Sequence, residues 1–183
     1  TFFGSLALYK LEKGGFFVFE SEEEKLVVVD LEGAHARVIY EEVERRIKSA
    51  SQGELQALLF PERIEVSSEE AFILEGELNR LESFGIRLTP FGKNVFMIEA
   101  LAPFIEITNC HEIVSKFVEA IKKEQPLEKW IINTLPHLRR KSYSMGEARR
   151  LLDTLLQSKD PLYSPTGKKI LRFLTVEELL HES

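Results

Sequence analysis

Apolar residues come in short blocks at the start of the chain and at helical spacing further on. Residues 6–11, 16–19 and 26–29 read as three strands, divided by Gly14-Gly15 and by a charged turn at 21–25. The unbroken run Leu26-Val27-Val28-Val29 predicts burial on both faces. A helix is expected from about 33 to 48, because Ala36, Ile39, Val43 and Ile47 share one face. Glu41 with Arg45, Glu42 with Arg46 and Glu44 with Lys48 are Glu-to-basic pairs four residues apart, each worth ~0.2–0.5 kcal/mol. Residues 49–54 form a loop. Residues 55–60 are an apolar stretch expected to stop at Pro61, and 64–66 a further short strand.

Ser67 and Glu70 have capping-box spacing ahead of a helix over 67–83, with Ala71, Leu74, Leu78 and Leu81 as its buried stripe and Gly85 past its end. Residues 86–88 and 95–100 pair as strands around the turn region 90–94, and Pro103 and Asn109 bracket a loop. Three helices follow, at 111–123, from Pro126 to about 135, and from an N-cap at Ser144 through 156, with Glu147 completing a second capping box. A turn-rich loop at 161–168, a strand at 170–174 and a short helix at 176–180 end the chain. This order is a mixed α/β layout of the α+β kind, without internal repeats.

Composition changes the picture little. The 183 residues are 44% hydrophobic and 30% charged, as in an ordinary globular chain. A net charge of -6 argues against nucleic acid as the partner of the whole surface. Arg139, Arg140, Lys141, Arg149 and Arg150 are the only basic cluster, and a solvated helix face accounts for them equally well. Cys110 is the only cysteine, so no internal disulfide forms and a reducing cytoplasm fits. No apolar run reaches membrane-spanning length. The chain opens on Thr1, not Met, and is expected to be part of a longer one. His111, His137 and His181 show no spacing that suggests a shared metal, and Trp130 and the Phe residues are expected in the core.

Asp30, Glu32 and His35 stand where a buried strand gives way to a helix. Carboxylates and imidazole there suit a hydrolytic metal, but carboxylates also cap helix starts, and spacing alone favours the cap. In order, however, Asp30, Ala34, His35, Arg37, Tyr40 and Glu41 resemble the signature of the C-terminal domain of the mismatch-repair protein MutL. So do the strands over 6–29, Phe84-Gly85-Ile86 followed by Pro90-Phe91-Gly92, and the strand over 95–100. In nuclease-competent members the signature reads Asp-Gln-His-Ala-x-x-Glu-x-x-x-x-Glu. Here the metal-binding His falls at Glu32 and the metal-binding Glu at Ala36. The family's Cys-Pro-His-Gly-Arg-Pro is matched by Ser164-Pro165-Thr166-Gly167-Lys168-Lys169, without thiolate or imidazole, and Asn133 stands near the place of a third motif's Cys.

The resemblance implies a nuclease-deficient MutL C-terminal dimerisation domain. It is expected to have a discontinuous dimerisation lobe, 1–52 with 144–183, and an external lobe, 53–143. No catalytic residue, metal or cofactor is expected in this part, ATP belonging to a separate N-terminal domain. The implied partners are a second copy, the replication sliding clamp and, through the full-length protein, the mismatch-recognition protein and DNA. The implied location is the bacterial cytoplasm near the nucleoid, with no membrane contact. Gln56-Ala57-Leu58-Leu59-Phe60-Pro61 has the form Gln-x-x-Leu-x-Pro of segments that dock on the sliding clamp. Gln56 offers an amide, Leu58, Leu59 and Phe60 offer apolar anchors, and Pro61 stiffens the free segment. A half-buried strand ended by proline is the plain alternative. For the whole domain, the alternative is a degenerate metal-dependent nicking endonuclease using Asp30, Glu32 and Glu41.

Overall fold

The computed structural model describes residues 9–11, 16–20, 25–49, 54–138, 143–175 and 178. It divides into two compact units, Thr1–Val38 with Arg139–Ser183, and Ile39–Leu138. The expected helix at 176–180 and the cluster at 139–141 lie almost wholly outside the described residues.

The first unit holds an antiparallel sheet of β1 (Tyr9–Leu11), β2 (Phe16–Glu20), β3 (Lys25–Asp30) and β7 (Leu171–Thr175), in the order β1-β2-β3-β7. Residues directly opposite each other in such a ladder share a face. Val27 and Val29 are fully buried on one face with Leu31 and Ala34 from the start of helix α1 (Leu31–Ser49) and Ala148, Leu152 and Leu155 from α5 (Met145–Leu155). Val28 stands opposite Val18, and Leu26 opposite Leu174, on the other face. Those four are only half-buried. The apolar run in β3 therefore does not mean burial on both sides: the packed helices lie on one face, as antiparallel sheets allow.

Helix α1 starts directly after β3, at Leu31 and not at 33. Its buried stripe is Ile39, Val43 and Arg46, positions i, i+4 and i+7. Arg46 is thus 5% exposed, its Nε donating to Glu42 at 2.6 Å and its guanidinium 5.3 Å from the Phe104 ring. Glu44 pairs with Lys48 at 2.8 Å, whereas Arg45 turns to Glu42 at 2.8 Å. Burial alone would raise the Glu42 carboxyl, but the hydrogen bonds from Arg46 and Arg45 outweigh it and hold it below its ordinary value.

The second unit is built on β4 (Gln56–Glu65), β6 (Val95–Leu101) and β5 (Ile86–Pro90), antiparallel in that order. Helix α2 (Ser68–Phe84) has the expected capping box: Ser67 Oγ accepts from Glu70 N at 3.2 Å and Glu70 Oε2 accepts from Ser67 N at 2.8 Å. Gly85 ends it at φ 132°, and a Cβ there would stand 2.6 Å from the Ala102 Cβ, so both backbone and space require glycine. Helices α3 (Cys110–Lys122) and α4 (Leu127–Thr134) complete the unit, α4 tightening into a 3-10 turn at Leu135–Leu138. Trp130 joins the core, its ring 4.7 Å from Phe84 and 5.1 Å from Phe117. Phe60, Phe72, Phe91 and Phe173 depart from the expected core placement and are exposed.

Pro61 does not end a strand, contrary to expectation. Strand β4 runs through it, because a register shift separates the pair Ala57–Ala100 from the pair Glu62–Ile98. Residues 58–61 thereby stand across from Glu99 alone. A residue with no N–H to donate is tolerated in such a bulge on an edge strand.

Candidate functional site

Two places carry the chemistry singled out in the sequence. The first is the β3-to-α1 junction. Asp30 Oδ1 accepts the Gly33 N–H at 3.0 Å, which is the N-cap bond to the third helical residue. Asp30 N donates to Ile170 O at 2.9 Å, and this draws in the end of the 162–170 hairpin. Within that hairpin Ser164 N donates to Lys168 O at 2.8 Å, Gly167 N to Ser164 O at 2.9 Å, and Ile170 N to Leu162 O at 2.8 Å. Ser164 is buried, its Oγ 3.0 Å from Thr166 Oγ1 and accepting from Lys168 N at 3.1 Å. Arg37 ties helix to hairpin: its Nε donates to Tyr163 O at 2.8 Å, and Nη2 lies 3.6 Å from Asp160. A Cβ on Gly33 would come within 3.1 Å of Asp30 Oδ2 and 3.2 Å of Ile170 Cγ1.

The two segments matched to separate family motifs are therefore neighbours. Glu32 is exposed, and Ala36 presents a methyl, which neither ligates nor carries a proton. His35 sits with its ring 5.9 Å from that of Tyr143, edge to face. Among the described residues, no three His, Cys, Asp or Glu side chains gather to hold a metal ion. Asn133 lies in the second unit, on α4, exposed and 3.5 Å from Gln125.

The second place is the β4 bulge. Leu59 is 87% exposed and Phe60 82%, with Gln56 and Pro61 also exposed and Leu58 half-buried. Removing such side chains from water is favourable by about 25 cal/mol per Å² of apolar surface, so their exposure is a standing cost unless something covers them. Gln56 remains in the ladder opposite Leu101, and Glu62 resumes it opposite Ile98, so both ends of the bulge are held by β6. Glu62 also meets His111 Nε2 at 3.3 Å. Next to it, burial first and the Glu62 charge second push the Cys110 thiol up to about 12, so it stays protonated and donates to Glu106 O at 3.6 Å. His137 Nε2 lies 3.9 Å from Glu112, the residue that follows His111 on α3. The bulge itself was not foreseen; a proline followed within three residues by a renewed strand pattern was the one available signal.

A four-stranded antiparallel sheet backed by helices on one face, with a three-stranded unit inserted in the chain between its third and last strands, defines a discontinuous α+β domain of two units. The chain belongs to the MutL C-terminal dimerisation domain family, whose model matches residues 13–151. It is similar to the DNA mismatch repair protein MutL of Leptospira biflexa, at 29% identity over 89% of this chain and 28% of that protein. It is similar also to the MutL of Chlorobium luteolum, at 28% identity over 85% of this chain and 26% of that protein, and of Listeria welshimeri, at 27% over 89% and 28%. The chain thus spans little more than a quarter of the length of these relatives. Among the described residues no helix is long and apolar enough to cross a membrane.

Proposed function

We propose that this chain serves DNA mismatch repair as the dimerising C-terminal part of a MutL protein. It joins two protomers so that their ATP-binding N-terminal domains act together, docks the replication sliding clamp through the β4 bulge, and does not itself cut DNA. In this reading residues 1–52 with 144–183 are the dimerisation lobe and 53–143 the external lobe.

The observation that carries the clamp reading is the exposure of Leu59 and Phe60 in a segment of the form Gln-x-x-Leu-x-Pro whose ends are fixed in a sheet. A partner that covers two large apolar side chains gains their burial, and a segment already extended and stiffened by Pro61 loses little entropy on docking. The second copy is expected on the sheet face of Val18, Leu26, Val28 and Leu174, which is apolar and stands opposite the helix-packed face. The absence of nuclease chemistry rests on the donor set. Asp30 is engaged in capping α1, Ala36 has no donor atom, and Ser164 and Thr166 are hydroxyls bonded to each other, which do not fit a divalent-metal centre.

One set of measurements tests all three parts. The mass of the chain in solution is expected to be that of a dimer at micromolar concentration, and Val28→Asp, which puts a charge into the apolar face, is expected to give monomers. Gln56→Ala with Leu59→Ala is expected to abolish measurable clamp binding while the dimer persists. Incubation with supercoiled DNA and Mn²⁺ is expected to leave the DNA uncut; nicking that disappears in Asp30→Ala would establish the endonuclease reading in its place.

A further inference from the structure

A cleft of about 320 Å³ opens in the second unit between α3 and α4. Lys116 and Ala120, one turn apart on α3, face Trp130 and Asn133, three apart on α4, with His137 beyond them and Gln125 from the connecting turn. Its polar groups are loosely engaged. Lys116 Nζ is 3.4 Å from Glu119, Asn133 Nδ2 is 3.5 Å from Gln125 Oε1, and His137 Nε2 is 3.9 Å from Glu112, all longer than a well-formed hydrogen bond. Trp130 is 2% exposed and its indole N–H has no acceptor, although buried donors in native folds nearly always have one. The one acidic group of the lining, Glu119, is already held by Lys123 at 2.6 Å, and the hydrogen bonds from Lys123 and Lys116 keep its carboxyl below the ordinary value. What this cleft has in surplus is donors.

We propose that the cleft between α3 and α4 binds a carboxylate. A donor-rich lining calls for a ligand that brings acceptors, and Lys116 favours an anionic one. A dianionic phosphate fits worse. The cleft adjoins the C-terminal half of α3, where the helix dipole is negative, it carries no arginine fork, and Glu119 is one of its lining residues. A singly charged planar carboxylate needs only one or two of these donors. The amide pair of Asn133 and Gln125 then meets a neighbouring peptide group, so an acidic side chain of a peptide satisfies more of the lining than a free acid does.

Trp130 is the chain's only tryptophan, so its emission reports on this cleft directly. Three probes are titrated into the whole chain at fixed ionic strength: acetyl-Glu-Glu-Glu-amide, succinate and inorganic phosphate. The expected result is a saturable change with both carboxylates and none with phosphate. Tighter binding of the tripeptide assigns the carboxylate to a peptide, and equal or tighter binding of succinate assigns it to a free acid. Lys116→Met and Asn133→Ala, both at partly or fully exposed positions, are each expected to weaken binding about tenfold. Lys129→Met, an exposed lysine of α4 outside the cleft, is expected to leave it unchanged. No saturable change with either carboxylate, an equal response to phosphate, or equal losses in Lys116→Met and Lys129→Met would each overturn the proposal.

Discussion

At the β3-to-α1 junction the polar groups are turned inward on the protein's own backbone, whereas in the β4 bulge large apolar groups are turned out. Asp30 caps a helix, Ser164 holds a hairpin and Arg37 binds a carbonyl of that hairpin. Leu59 and Phe60 are almost fully exposed, and the pairing of β4 with β6 shifts register around them. The two places therefore differ in what a substitution should change. Residues engaged by the fold cost stability when altered, and residues set outside it cost binding. Where a segment carries a family's motif, its bonding partners tell which of the two applies.

The largest effect is expected at the bulge. Replacing Leu59 and Phe60 together by alanine is expected to weaken clamp binding by about a hundredfold or more, the loss of two buried anchors. The same change should shift the urea midpoint by no more than about 0.5 kcal/mol of stability, because exposed side chains contribute little to the folded state. Binding is read by titration against purified clamp and stability by urea unfolding. A large loss of stability would break the contrast, since it would make Leu59 and Phe60 part of the core.

The junction should behave in the opposite way. Gly33→Ala puts a methyl within 3.1 Å of Asp30 Oδ2 and 3.2 Å of Ile170 Cγ1, so the cap or the hairpin must shift, at about 1–3 kcal/mol. Asp30→Ala removes the bond to Gly33 N and is expected to cost about 0.5–2 kcal/mol. Both are measured as urea midpoints, and neither should alter clamp affinity. Unchanged stability in Asp30→Ala would mean that its carboxylate is free for other chemistry and would revive the metal-dependent reading.

Much of this was legible in the residues, for local reasons. The two capping boxes, at Ser67 with Glu70 and Ser144 with Glu147, depend only on spacing and appear where spacing put them. Val27 and Val29 were expected inside, and they are, but the half-burial of Leu26 and Val28 depends on which face the helices cover, and that is not written in β3. The spacing of Glu42 and Arg46 predicts their pairing, and they pair, but spacing does not show that Arg46 is buried: the stripe of Ile39 and Val43 carries it inside, where Phe104, more than fifty residues away in sequence, receives it. The bulge escaped for the same kind of reason. A proline breaks a ladder only where its position must donate an N–H, and whether position 61 must do so depends on the register of β6. At the junction, the residue types were plain but not their partners, because Ile170 and Tyr163 reach Asp30 and Arg37 only through the fold.

The smallest expected effect tests the polar side of the contrast inside the unit that carries the bulge. Glu70 is engaged by its own helix start, as Asp30 is, and the hydrogen bonds from Ser67, backbone first and hydroxyl second, hold its carboxyl below the ordinary value. A carboxyl whose value is lowered on folding stabilises the folded state above its unfolded value, and that contribution is lost as pH falls through the lowered folded one. Glu70→Ala should therefore be less stable than the parent chain at pH 7, by roughly a few tenths of a kcal/mol for a carboxylate so open to solvent. The gap should narrow steadily as urea midpoints are taken at lower pH through the carboxylate range. Clamp affinity at pH 7 should be the same in both chains, since Glu70 lies beyond the bulge in a helix that keeps its buried face of Ala71, Leu74, Leu81 and Phe84. A gap that stays constant with pH would show that the charge of Glu70 is not what the cap depends on. A fall in clamp affinity would show that the start of α2 and the bulge act as one piece, and the separation between groups serving the fold and groups serving a partner would then have to be drawn elsewhere in this unit.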